Sequence, residues 1–184
     1  MKKVLVATEK PFAKTAVDGI RSIIEAAGFT LVLLEKYTDT ADFAHAVADA
    51  DALIVRSDKV TADIIAAAGN LKIVVRAGAG YDNLDLTACS SKGIVAMNTP
   101  GQNSNAVAEL ALGMMVYMAR NSFEPGTGSE LKGKKLGIHA YGNVGRQVAR
   151  IARGFGMEVL AFDPFITSEA MQQEGITPVK SVQD

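Results

Sequence analysis

Hydrophobic positions along the chain fall into short runs rich in Val, Ile and Leu, separated by stretches where apolar residues recur every third or fourth place. The first pattern suits a buried strand and the second an amphipathic helix. Their alternation predicts βαβ units around a parallel sheet. Residues 4–7 read as a strand, followed by a helix over 15–27 with Val17, Ile20, Ile23 and Ile24 on one face and Gly28 at its end. Further strands are predicted at 31–34, 52–55, 73–75 and 94–97. Helices fall between them at 42–50, at 61–68 with Thr61 as cap, and at 85–92 with Gly93 closing it. Residues 1–100 thus predict one complete α/β domain of the flavodoxin-like, doubly wound kind.

A second series starts at 105–120. This stretch is apolar almost throughout (Val107, Leu110, Ala111, Met114, Met115, Met118) and is expected to be a buried connecting helix. Residues 121–128, with Pro125, Gly126 and Gly128, are the best loop or domain boundary. A strand at 135–139, a helix at 144–154, a strand at 159–162, a weak helix at 168–174 and a last strand at 177–180 complete the pattern.

Composition narrows the classes of function. With 184 residues, 48% hydrophobic, 21% charged and a formal net charge of −1, the chain reads as an ordinary soluble protein with no general attraction to nucleic acid or anionic membrane. The single cysteine, Cys89, excludes an intrachain disulfide framework and fits a reducing compartment, as a packed small residue rather than a nucleophile. The apolar run after Met1 is too short for a signal peptide, and no stretch approaches the roughly 20 residues of a membrane helix. The expected setting is the cytoplasm, the expected partner a small molecule, and no metal site is expected.

Candidate chemistry concentrates where the strand at 135–139 turns into the next helix. Gly142 and Gly145 occupy the second and third positions of a G-x-G-x-x-G pattern, and Ala140 stands at the first. Such a turn lets main-chain N–H groups and a helix N-terminus approach a pyrophosphate. Alanine fits the first position if its φ stays negative. The helix places Val144, Val148, Ile151, Ala152 and Phe155 on one face and Arg146, Gln147, Arg150 and Arg153 on the other. Asp163 ends the following strand, where a carboxylate accepts ribose hydroxyls and repels a 2′-phosphate; the pattern favours NAD over NADP. The competing assignment is a plain strand–helix turn, with Asp163 capping the loop before Pro164.

Two further segments, Arg76-Ala-Gly-Ala-Gly-Tyr-Asp-Asn-Leu-Asp85 and Asn98-Thr-Pro-Gly-Gln-Asn-Ser-Asn-Ala-Val-Ala-Glu109, closely resemble the D-2-hydroxyacid dehydrogenases, above all their D-3-phosphoglycerate dehydrogenase branch. With residues 133–145 and Phe162-Asp-Pro164, the resemblance runs over essentially the whole chain. It implies a substrate-binding domain over 1–100, then a connecting helix and the first half of a Rossmann NAD-binding domain over 101–184. In that family the reaction takes place in the cleft between the two domains. The implied reaction is hydride transfer from a 2-hydroxy acid to NAD, in this branch 3-phosphoglycerate to 3-phosphohydroxypyruvate for serine biosynthesis. Carried over by position, Gly78, Ala79 and Gly80 offer N–H groups to the substrate carboxylate, and Ala79 also lies at the nicotinamide side. Arg56 and Ser57 approach the substrate phosphate, with Lys59 adding charge. Arg76 is a further cation, and Asn103 touches cofactor and substrate. Ala140, Gly142, Asn143, Val144 and Gly145 form the pyrophosphate turn, and Asp163 is the ribose acid.

Plainer assignments stand beside these. Arg56 and Lys59 are candidate solvated strand ends, Asp82, Asn83 and Asp85 candidate helix caps, Asn98 and Asn103 candidate turn residues, and Glu109 a candidate interdomain hydrogen-bond partner. The family's catalytic Arg, acid and His are expected beyond position 184. His45 reads as a surface residue, and His139 stands where the family has an aliphatic residue; neither is assigned as the base. The isolated chain is therefore expected to be inactive. The complete family enzyme is expected to be a homodimer, but the short link from Arg120 to Leu131 departs from the longer excursion that contributes to that contact. Half an NAD domain is also expected to leave a strand edge open. The alternatives are a non-catalytic NAD-sensing or partner-binding module and a dehydrogenase for another 2-hydroxy acid.

Overall fold

A computed structural model describes residues 1–183. The chain divides into two compact units, Met1–Pro100 and Gly101–Asp184. In the first, β1 (Lys3–Thr8), α1 (Lys14–Ala26), β2 (Thr30–Glu35), α2 (Thr40–Val47), β3 (Ala52–Val55), α3 (Ala62–Ala67), β4 (Ile73–Arg76), α4 (Leu86–Ser91) and β5 (Val95–Met97) follow in order. All strand pairs are parallel, in the order β2-β1-β3-β4-β5. The chain steps outward from β1 to β2 and then back across β1 to β3. That reversal places crossover helices on both faces of the sheet.

Side-chain alternation divides the core between those faces. Leu5, Ala7, Leu53, Val55 and Val74 pack with Phe43 and Val47 of α2, Ile64 and Ile65 of α3 and Cys89 of α4. On the other face Val4, Val6 and Leu31 pack with Ile24 of α1, and Phe12 and Ile20 lie against them. Ile23, expected to share that stripe, is 73% exposed. With 3.6 residues per turn it falls roughly 100° from the centre of the stripe formed by Val17, Ile20 and Ile24. Cys89 is buried, and burial, with the nearby Asp85 charge adding to it, pushes its thiol above the usual range.

Three helix starts in this unit are closed by side chains. Asp39, Thr61 and Asp85 accept main-chain N–H groups at the starts of α2, α3 and α4. The far end of α3 is held from outside, because the Lys92 ammonium donates to the carbonyls of Ile65, Ala66 and Ala68 at 2.8, 2.9 and 3.3 Å.

The second unit contains α5 (Ser104–Ala119), a 3-10 turn (Asn121–Phe123), β6 (Lys135–His139), α6 (Asn143–Gly154), β7 (Glu158–Phe162), α7 (Ser168–Gln173) and β8 (Thr177–Pro178). Its parallel sheet has the order β6-β7-β8, and among the described residues the outer edge of β6 pairs with no strand. Expected as a strand over 177–180, β8 is shorter; Pro178 lacks an N–H, and Val179 N–H still donates to Ala161 O at 3.0 Å. The core gathers Ala108, Leu112, Tyr141, Val148, Ala149, Ala152, Val159, Ala161 and Met171.

Two expectations of burial fail here. Helix α5 is not buried all round: Leu110, Met114 and Met118 are 66%, 59% and 70% exposed, and only Ser104, Ala108 and Leu112 are buried. An apolar sequence reports what a helix tolerates on every side, whereas the core of this unit takes up a single stripe of it. In α6, Val144 and Phe155 at the two ends are also exposed, and the buried face is built by Val148, Ala149 and Ala152. Among the described residues, no helix is long and apolar enough to cross a membrane.

Because its ammonium satisfies carbonyls that α3 leaves open, Lys92→Met should lower unfolding stability by about 1–2 kcal/mol in urea titrations. An unchanged midpoint would mean that water serves those carbonyls equally well.

Candidate functional site

In the first unit the candidate substrate residues lie just past the carboxyl ends of adjacent strands, where parallel α/β sheets bind ligands. Arg56, Ser57 and Lys59 follow β3 and are exposed. Arg76 ends β4 in register with Val55, and its Nε donates to the Arg56 carbonyl at 2.8 Å. This contact fastens the two loops together. The chain then turns tightly, with Gly78 N–H donating to Arg76 O at 2.8 Å.

That bond alters the expected role of the glycine loop. The Gly78 N–H is already committed, whereas Ala79 and Gly80 show no internal partner for theirs among the described residues. A Cβ at Gly78 would overlap the Arg76 guanidinium, so glycine lets Arg76 fold across the loop. The loop is held from β5 as well: Thr99 N–H donates to Gly78 O at 2.8 Å and the Asn98 carboxamide to Ala79 O at 2.7 Å. Asn98 is thus a strut of the loop.

Asp58, absent from the candidates, is a buried charged residue at this end of the sheet, only 5% exposed. Its Oδ1 accepts from Glu9 N–H at 2.7 Å and from the Tyr37 hydroxyl at 2.8 Å, and its carbonyl accepts from Asn83 Nδ2 at 2.8 Å. Asp58 therefore ties the ends of β1 and β2 to the loop that presents Arg56 and Ser57. Burial, with the Asp58 bond and charge adding to it, pushes the Tyr37 phenol far above its ordinary range. In the sequence, Asp58 stands between Ser57 and Lys59 and looks like another solvated charge; nothing local signals its burial.

Asn103 belongs to the second unit, exposed at the N-cap of α5. The phosphate turn, in the same unit, joins β6 to α6. Gly142 is the N-cap of α6 with no side chain capping the helix, and space opposite its missing Cβ is open. The exposed Asn143 and Val144 begin the helix, so their N–H groups lack an intrahelical acceptor. Gly145 answers a different demand. A Cβ there would overlap the Ala140 carbonyl oxygen and come within 3.2 Å of Ile138 Cγ2, so glycine lets α6 lie close on β6. The Gly101 main chain lies beside the Asn143 side chain.

Ala140 corrects a condition set by the sequence: its φ is +81°, not negative. The first position keeps the left-handed backbone that favours glycine, even though alanine occupies it, at a cost of roughly 1–2 kcal/mol.

Asp163 offsets part of that cost. Its Oδ2 accepts from Tyr141 N–H at 2.7 Å, and its Oδ1 from Phe165 and Ile166 N–H at 2.8 and 3.2 Å. Those main-chain donors, Phe165 foremost, hold its carboxyl below the usual range, with the Arg146 charge adding to them. The Asp163 carboxylate thus caps its own loop and braces the turn at once. A carboxylate offers about four acceptor sites, and these donors fill both on Oδ1 and one on Oδ2, so one on Oδ2 remains for a hydroxyl group. Tyr141 is 1% exposed, and burial raises its phenol against the opposing charges of Arg146 and Arg153. Both histidines are exposed; His139 at the end of β6 has its ring 5.7 Å from that of Phe162.

This arrangement sets a turn with open main-chain N–H groups beside a carboxylate in one unit, and cations beside unpartnered main-chain N–H groups in the other. Comparison with known proteins gives it a family. Residues 10–184 match the D-isomer specific 2-hydroxyacid dehydrogenase, catalytic domain. The chain belongs to that family. Hydroxypyruvate reductase of Thermotoga maritima is 42% identical over 148 residues, covering 73% of this chain and 48% of that protein. Human D-3-phosphoglycerate dehydrogenase is 41% identical over 170 residues, covering 85% of this chain and 32% of that protein. The crystal structure of NAD+-bound 3-phosphoglycerate dehydrogenase from Entamoeba histolytica superposes with a TM-score of 0.89 at 51% identity, covering 99% of this chain and 58% of that one. The chain thus spans about half or less of the length of the curated relatives named here.

Three outcomes follow from the turn. Ala140→Gly should raise stability by up to about 1 kcal/mol by relieving the left-handed strain, read as a higher melting temperature. Gly145→Ala should cost about 1–3 kcal/mol, because the obstructing atom is main chain. The Asp163 contribution should be complete above the ordinary carboxylate range and disappear only as pH falls through its lowered folded-state value. The Tyr141 amide proton resonance reports this, and a midpoint at or above the ordinary value would contradict it.

Proposed function

We propose that this chain is the substrate-binding and phosphate-binding portion of an NAD-dependent 2-hydroxyacid dehydrogenase, with 3-phosphoglycerate as its substrate. The observation that carries this reading is the β6–α6 turn, open at Gly142, closed against β6 at Gly145 and braced by Asp163 from the end of the neighbouring strand. In this reading Met1–Pro100 is a flavodoxin-like substrate domain, and the second unit is a connecting helix followed by the first half of a Rossmann domain. The 2-1-3-4-5 strand order and the β6-β7-β8 parallel sheet support it.

The residues present fit NAD. Asn143 and Val144 N–H groups would hold the pyrophosphate, and Asp163 the adenosine ribose. When bound, the nicotinamide supplies the hydride acceptor. Ala79 and Gly80 N–H groups hold the substrate carboxylate, with Arg76 folded beside them. Arg56 and Ser57 take the phosphate, and Lys59 adds positive charge at the edge. Asn103, at the start of α5, is assigned to cofactor and substrate contact. Oxidation also needs a base for the hydroxyl proton. His45 and His139 are both exposed, and neither matches the position of the family's catalytic histidine, so neither is given that role.

A second substrate is favoured by one observation: the Thermotoga maritima relative named a hydroxypyruvate reductase is about as similar as the phosphoglycerate dehydrogenases. The substrate phosphate separates the two readings, because Arg56 has a function only if that phosphate is present. The complete enzyme is proposed to be a homodimer.

Calorimetric titration of the 184-residue chain with 3-phosphoglycerate and with glycerate tests the reading. The phosphorylated acid should bind more tightly, and Arg56→Ala should weaken it by roughly tenfold or more while leaving glycerate unchanged. Equal affinity for both acids would remove the phosphoglycerate assignment. The chain alone should form no NADH from 3-phosphoglycerate and NAD+, and measurable turnover would contradict this expectation.

A further inference from the structure

The side chains around the Asp163 end of the turn converge on a carboxylate that the proposed function leaves unused, Glu174, the residue following α7. Its Oε2 accepts from the Tyr141 hydroxyl at 2.9 Å. Its Oε1 forms an ion pair with the Arg146 guanidinium, which lies over the Tyr141 ring at 5.0 Å from the centroid. Its carbonyl accepts from Arg153 Nη1 at 2.6 Å. Tyr141 is therefore held at both ends, by Asp163 through its main-chain N–H and by Glu174 through its hydroxyl. Arg146 shares this cluster with Asp163, and its charge adds to the main-chain donors, Phe165 foremost, that lower the Asp163 carboxyl.

An unpaired guanidinium beside the ribose acid would be a phosphate receptor. Arginine binds phosphate through two parallel hydrogen bonds, and a nearby Arg accommodates the 2′-phosphate of NADP in proteins that use it. Here that guanidinium is already compensated. We infer that Glu174 is a specificity-determining residue: by holding Arg146 in an ion pair over Tyr141, it withholds that guanidinium from a 2′-phosphorylated dinucleotide. Asp163 repels such a ligand directly, and Glu174 removes the cation that would offset the repulsion. Arg153 does not replace Arg146, because it is fastened to the Glu174 main chain. This inference rests on the reading of the turn as a dinucleotide site.

Glutamine at 174 keeps a carbonyl oxygen for the Tyr141 hydroxyl and removes the charge that compensates Arg146. The experiment is calorimetric titration of the full 184-residue chain, of Glu174→Gln and of Glu174→Gln/Arg146→Ala with NAD+, NADP+ and 2′,5′-ADP. Each variant is first checked for folding by thermal melting, and Glu174→Met, of similar length, carries the same expectation if Gln does not fold. Glu174→Gln should bind 2′,5′-ADP and NADP+ about tenfold more tightly than the parent while NAD+ affinity stays within about twofold, and Arg146→Ala should erase the gain. A gain of affinity separates this role from that of a mere strut, whose loss would weaken every ligand alike.

No gain for the 2′-phosphorylated ligands, or a gain that survives Arg146→Ala, overturns the inference. If NAD+ binds the parent and no gain appears, the inference falls and the dinucleotide reading stands. Should the parent fail to bind NAD+ while Glu174→Gln takes up 2′,5′-ADP through Arg146, the role of Glu174 stands and the NAD assignment falls. If neither binds, both fall.

Discussion

The hydrogen bond from Tyr141 N–H to the Asp163 carboxylate is the contact on which the rest of the second unit depends. It spans from the end of β7 to the turn after β6, so it sets where the first turn of α6 begins. The turn needs that support because Ala140 holds a left-handed backbone without being glycine. Gly145 then permits the close approach of α6 to β6, and Val148, Ala149 and Ala152 convert that approach into core. A single carboxylate thus connects a strained main-chain position, the packing of a helix and a row of N–H groups open to an anion.

The first unit solves a related problem by other means. Its candidate residues stand ahead of the caps of α3 and α4, and polar side chains position them from behind. Asp58 ties β1 and β2 to the loop after β3, Arg76 ties the loop after β4 to that after β3, and Asn98 supports the glycine loop from β5. The Gly78 N–H is committed to its own turn, which leaves those of Ala79 and Gly80 without an internal partner among the described residues. In both units, side chains brace the donors proposed to meet a ligand; Asp163 and Arg76 are themselves assigned to ligands, whereas Asp58 and Asn98 act from behind.

The strands and helices were legible because β-branched runs, glycine stops and Thr61 or Asp85 caps each report on their immediate surroundings. Burial of whole faces was less so. The apolar sequence of α5 does not say how many neighbours the helix will have, and Ile23, Val144 and Phe155 sit at the margins or ends of otherwise buried stripes. The glycine pattern showed the turn but not the sign of φ at Ala140, because alanine there reads as a replacement of the conformation rather than a residue held in it. Asp58 and Glu174 were invisible for a common reason: each is a charged residue in a polar stretch, and only partners distant in sequence reveal what it holds. Of the two competing assignments for Asp163, the loop cap is visible in its bonds to Phe165 and Ile166, and the same carboxylate also braces the turn through Tyr141 N–H.

The central claim is that the β6–α6 turn and Asp163 form one dinucleotide site. Its most direct measurement is a 15N–1H NMR titration of the chain with NAD+. The account predicts saturable shifts centred on the amides of Gly142, Asn143 and Val144 and on residues 163–166, lost in Asp163→Ala. Saturable shifts elsewhere in the chain, or none in these two segments at saturating NAD+, would contradict it.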